Sequence, residues 1–170
     1  MDPILVEAKE KKEELVFKAK TIILSTVSKN GQPNASYAPC IVDSDNNFFI
    51  YISSLSKHTA NLINNPKLSL MIIEDESESE NIFGRKRFTM DAIANQVKRD
   101  SEKWSKIIKL MEDKFGETIS YLKNMTDFYM FKIKPQNGLL VHGFARAFRF
   151  SGNKLDDIHY LNEKGHTQKK

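Results

Sequence analysis

The chain has 170 residues, a formal net charge of +4 and one cysteine, the scale of a single compact domain with its own core. Cys40 has no second cysteine to pair with, and no Cys/His spacing of the zinc type occurs, so neither a disulfide nor a structural zinc is expected. The start Met1-Asp2-Pro3 is not a basic and then apolar leader, and no apolar run nears the roughly 20 residues of a membrane span, so a soluble, cytoplasmic protein without membrane insertion is expected.

From Pro3 to Lys18 the apolar positions Leu5, Ala8 and Leu15, with Ala19 just beyond, have helical spacing among lysines and glutamates. Thr21 to Ser28 is β-branched and apolar. The turn Lys29-Asn-Gly-Gln-Pro33 then leads into Ala35 to Val42, the pattern of a hairpin. Asp43 to Asn47 is a second polar turn, and Phe48 to Ser53 a third strand. Ser56 to Asn65 reads as a short helix that begins at a serine able to cap it and stops before Pro66.

A fourth strand runs from Leu68 to Ile73, Glu74 to Asn81 is an acidic exposed loop, and Arg87 to Ala94 alternates as a fifth strand. Arg99 to Phe115 carries Trp104, Ile107, Ile108 and Met111 at helical spacing and ends before Gly116; a second helical stretch follows over Glu117 to Lys123. Strand character returns at Asp127 to Ile133, Asn137 to Val141 and Ala145 to Phe150, with turns at Pro135-Gln-Asn-Gly138 and Ser151-Gly-Asn153, and Leu155 to Leu161 reads as a short helix. Short strands separated by turns imply a β-barrel decorated by helices. The division is 1–19 for an N-terminal helix, 21–150 for the barrel and 151–170 for a C-terminal helix and tail.

Three constellations could carry chemistry. Ser56, Lys57 and His58 open a helix, whose free N–H groups and positive dipole end attract phosphate or carboxylate; the plain alternative is that Ser56 caps the helix and Lys57 is a solvated charge. Arg85 and Arg87, two apart, would share one strand face and could clamp an anionic group, or merely protect an edge strand. His166 follows Gly165 in a polar tail without apolar neighbours, so it is a free imidazole able to ligate a metal such as haem iron, or simply a residue of a disordered terminus.

Asp127 could orient that imidazole through its other ring nitrogen. His142 and His159 are read as structural. Acidic Glu74 to Glu80 against basic Arg85 to Arg87 suits a small anionic ligand. The basic residues are not interleaved with aromatics, so nucleic acid is not expected. No Gly-x-Ser-x-Gly, P-loop or His-Glu-x-x-His supports a hydrolase or nucleotide triphosphatase.

The order of Ile23-Leu-Ser-Thr-Val with Gly31-Gln-Pro, Ser36-Tyr-Ala-Pro39, Ser56-Lys-His-Thr-Ala-Asn-Leu62, Arg87-Phe-Thr-Met90, Asp127-Phe128, Gly143-Phe-Ala-Arg-Ala-Phe148 and Gly165-His166 resembles haem-utilisation proteins of the HugZ/HutZ type, within the pyridoxamine-phosphate-oxidase-like superfamily. The resemblance covers nearly the whole chain. It implies an α+β fold, mainly β with helices, built as an antiparallel split barrel of the flavin-reductase type. It also implies a homodimer whose interfacial clefts bind haem and open it oxidatively to a biliverdin-like product with iron release. By the same resemblance His166 is the axial haem ligand, Asp127 its orienting carboxylate, from either subunit, and Ser56, Lys57, His58 and Arg87 contact propionate or phosphate. An FMN-dependent oxidoreductase and a non-catalytic haem carrier are the alternatives, and the electron donor is unknown.

Overall fold

The computed structural model describes residues 2–161. Helix α1 spans Pro3–Lys18: the Asp2 carboxylate accepts from the Ile4 amide and Pro3 occupies the first turn, where its missing N–H costs nothing. The strands that follow are β1 (Thr21–Val27), β2 (Pro33–Val42), β3 (Phe48–Ser53), β4 (Lys67–Ile73), β5 (Arg87–Val97), β6 (Phe128–Val141), β7 (Ala147–Ser151) and β8 (Asp157–Tyr160). Between them lie α2 (Lys57–Asn64), α3 (Glu102–Phe115) and α4 (Glu117–Leu122).

Among the described residues the strands form one antiparallel sheet in the order β3-β2-β1-β4-β5-β6-β7-β8, and β3 also pairs with β6. That pairing closes β1 to β6 into a six-stranded barrel, removing its free edges. Strands β7 and β8 extend the sheet from the Val141 end of β6. The mixed α+β split barrel is the expected class.

Inside the barrel, alternate residues of each strand meet in one core containing Leu24, Ile50, Phe88, Phe131 and Phe150. Gly138 is required there, because a Cβ at this position would lie 2.4 Å from the Phe88 ring. Helix α1 covers this core with Ala8 and Leu15. Lys12 is buried with them, its ammonium donating to the Leu155 carbonyl at 3.3 Å and lying 5.3 Å from the centre of the Phe150 ring; burial pushes its pKa down.

A second cluster forms where α3 and α4 lie on the outside of the barrel. Trp104, Ile107, Ile108, Met111 and Ile119 cover Ile41, Phe49, Tyr51, Val97 and Met130, and each large side chain so buried contributes about 1.5–3 kcal/mol of transfer free energy. Strand β3 is therefore apolar on both faces.

Three local expectations are corrected. Asp127–Ile133 and Asn137–Val141 are not two strands joined by a turn. They are one strand, β6, whose register against β5 jumps from Asp91↔Asn137 to Ala92↔Pro135, so Gln136 is the extra residue of a bulge, a place where strands accept proline. Leu155–Leu161 is not helical: Leu155 has φ +53°, and Asp157–Tyr160 pairs with β7, burying Ile158 opposite Phe150. Arg85 and Arg87 do not share a strand face, because β5 begins at Arg87.

Candidate functional site

An apolar cleft of about 510 Å³ lies between the barrel wall and the α3–α4 insert. Tyr37 and Pro39 from β2, and Tyr51 and Ser53 from β3, form one side; Met111, Phe115, Ile119 and Leu122 form the other. Phe128, opening β6, sits beside Tyr51 with ring centroids 5.3 Å apart, and Ser56 and His58 from the start of α2 complete the lining. A cleft with two apolar walls and a few convergent polar groups suits a flat, largely apolar ligand.

Helix α2 is fixed to the end of β3 by Thr59, whose hydroxyl donates to the Ser53 carbonyl at 2.6 Å. Ser56 precedes the helix, but its side chain makes no capping hydrogen bond, so the expected cap is absent. The first-turn amides beside exposed Lys57 are consequently not engaged by that hydroxyl. His58 Nδ1 lies 2.9 Å from Ser36 Oγ, and partial burial lowers its pKa, keeping the imidazole neutral near pH 7.

Asp127 is brought to the same place by a contact distant in sequence: the Ser54 amide donates to its carbonyl oxygen at 2.7 Å. Its carboxylate is exposed and makes no hydrogen bond or ion pair among the described residues. Ser56 and His58 line the cleft, whereas Lys57 and Asp127 are not lining residues: Lys57 lies between the first two in sequence and Asp127 directly precedes the lining residue Phe128.

Arg87 is not a wall of the cleft. Strands β1 and β4 separate its strand from β2, three strand spacings or roughly 14 Å along the sheet. The expected arginine clamp is not assembled. Arg85 donates to the Glu74 carbonyl at 2.7 Å and pairs with Glu76 at 3.1 Å, while Arg87 donates to the Arg85 carbonyl at 3.0 Å. His166 lies outside the described residues.

Among the described residues no group of three or more His, Cys, Asp or Glu could hold a metal ion, and no helix is long and apolar enough to cross a membrane. Cys40 is buried and its thiol is pushed up to about 11 by desolvation, so it supplies no thiolate near neutral pH. Cleft residues not singled out from sequence include Met111, Phe115, Ile119 and Leu122. Their helical periodicity showed an apolar face but not what that face would cover.

A closed antiparallel barrel with a helical insert along an apolar cleft is a split-barrel architecture, and residues 8–142 match the family model described as pyridoxamine 5'-phosphate oxidase; the chain belongs to that family. Within it the chain is of the HutZ type. It is 44% identical over 162 residues to heme oxygenase HutZ of Vibrio cholerae serotype O1, covering 95% of this chain and 89% of that protein. The crystal structure of HutZ from Vibrio cholerae, described as a heme storage protein, superposes with a TM-score of 0.72 at 41% identity, over 76% of this chain and 90% of that one. Campylobacter jejuni ChuZ superposes with a TM-score of 0.85 at 26% identity, over 96% of this chain and 66% of that one.

Proposed function

We propose that the protein binds haem as its substrate at this cleft and opens the macrocycle oxidatively, consuming oxygen and a reductant and releasing iron with a biliverdin-like product. The observation that carries the reading is the apolar cleft of about 510 Å³, whose lining residue Phe128 directly follows Asp127, a carboxylate with no side-chain partner among the described residues. HutZ, 44% identical, is named a heme oxygenase, which supports turnover.

In this reading His166 holds the iron and Asp127 accepts a hydrogen bond from its other ring nitrogen, fixing the tautomer and raising the donor strength of the imidazole. Ser56, Lys57 and the amides of α2 meet one propionate. Arg87, three of six strands away around the closed barrel, would meet the other only from the second subunit. Neutral His58, held by Ser36, lines the wall without adding charge to it.

The pair works in trans. Leu161, the last described residue, bonds to Ala147, which is opposite Val141 at the far end of β6 from Asp127. That strand separates the two ends by on the order of 30 Å once barrel coiling is allowed for, whereas five further residues reach at most ~18 Å. A homodimer would supply His166 of one subunit to Asp127 of the other. Its supporting surface is an outward row in register across four strands, Tyr37, Ile23, Met71 and Thr89, continued by Leu139 on β6. Tyr37 is 66% and Leu139 41% exposed, apolar area that a monomeric barrel would normally face with polar residues.

Haemin titration tests the binding step. The protein should develop a Soret band that His166→Ala shifts or abolishes, and an unchanged spectrum would sink the ligand assignment. A second reading, FMN bound by its phosphate, is favoured by the uncapped start of α2 beside Lys57. Quenching of FMN fluorescence on mixing would support it.

A further inference from the structure

Arg99 lies between β5 and α3, half-buried, and takes no part in the cleft lining. Its guanidinium donates to the Tyr51 hydroxyl at 3.1 Å and to the Lys123 carbonyl, and sits 5.2 Å from the centre of the Trp104 ring. Tyr51 donates in turn to the Leu122 carbonyl at 3.4 Å. Two adjacent carbonyls that close α4 are therefore satisfied by one side-chain network. A guanidinium suits this role because it is always charged, offers forked donors and stacks on an aromatic face.

The consequence lies in the connection from α4 to β6. It is pinned at Leu122 and Lys123 by Tyr51 and Arg99, and at Asp127 by the Ser54 amide. Between those points, among the described residues, the backbone is held by turn bonds such as Met125 N–H to the Leu122 carbonyl, 3.0 Å. Tyr51, which receives the Arg99 bond, is itself a cleft wall beside Phe128.

We propose that Arg99 is a positioning residue for the cleft: through Tyr51 and the carbonyls closing α4 it sets where Asp127 and Phe128 stand. This rests on the cleft being the haem site. A clamp that only stabilised the α3–α4 insert would lower melting temperature without altering haemin affinity.

The test compares the wild type, Arg99→Gln, Tyr51→Phe, the double variant, and Phe150→Leu, a core change remote from the insert that serves as a stability control. Haemin is titrated by quenching of Trp104, the only tryptophan in the chain, and amide exchange over 123–127 is followed without haemin. Arg99→Gln should weaken haemin binding about tenfold and speed exchange over 123–127, the double variant should be no worse than Arg99→Gln alone, and Phe150→Leu should change neither readout. Equal haemin affinity and unchanged exchange in Arg99→Gln overturn the proposal. If the wild type binds no haemin, the haem reading fails. The exchange measurement still decides Arg99, with unchanged exchange overturning its role and faster exchange supporting it.

Discussion

Replacing Asp127 by asparagine separates function from stability at one position. The carboxylate is exposed and has no side-chain partner among the described residues, while the backbone carbonyl that meets Ser54 at 2.7 Å is untouched by the change. Folding should therefore shift by no more than about 0.5 kcal/mol, which for a chain of this size is a melting shift within about 2 °C. Haem chemistry should respond far more, because an amide oxygen accepts less strongly than a carboxylate and mutating the hydrogen-bonding partner of a metal-ligating histidine typically costs about 10–100-fold, or ~1.4–2.7 kcal/mol. The assay is a thermal melt of the haem-free protein beside the rate of Soret loss after a reductant is added in air. A rate within twofold of wild type, or a melting temperature lower by more than about 5 °C, would refute the assignment of Asp127 as a functional, structurally idle group.

His142 stacks on Phe148 with centroids 5.1 Å apart, its Nε2 is buried without a hydrogen-bond partner among the described residues, and burial lowers its pKa, as it does for His58. Each imidazole is harder to protonate in the fold than in the unfolded chain, so its stabilising contribution is full above about pH 6.5 and is lost as pH falls below that value. Urea unfolding should give lower stability at pH 5.5 than at pH 7.5, and His142→Phe should reduce that difference; an unchanged difference contradicts the argument. Gly138→Ala forces the Phe88 ring aside and should cost about 1–3 kcal/mol in denaturant melts, and a neutral result would mean the core yields there. Ile23→Glu puts a charge into the outward apolar row and should shift light scattering from dimer to monomer while weakening haemin binding; a dimer that persists would place the interface elsewhere.

Much of the architecture is legible in local chemistry. Helix α1 and strand β3 have the bounds that helical spacing and strand composition imply, and the Asn30-Gly31 turn sets the β1–β2 hairpin. The misread parts are those where a long-range partner decides. The bulge at Gln136 lets Pro135 sit inside one long strand, because β5 pairs on both sides of it. The last strand forms because β7 offers an edge to Asp157–Tyr160 and the interior accepts Ile158. Arg85 is drawn out of the expected clamp by Glu74 and Glu76.

The candidate site divides the same way. Ser56, Lys57 and His58 are contiguous and were visible as a helix start, but Asp127 is brought towards them by the long-range β3–β6 pairing and its bond with Ser54, 73 positions earlier. The insert walls were visible as an apolar helix face without a destination. Their seat on β2, β3 and β6 is set by Tyr51, Arg99 and the surrounding cluster.

Turnover is the most direct test of the central claim. Haem-loaded protein given oxygen and a reductant should lose its Soret band, release iron that a ferrous chelator captures, and yield a biliverdin-like absorbance. A Soret band that persists through many equivalents of reductant, with no iron released, would contradict degradation and leave a haem-binding protein without this chemistry.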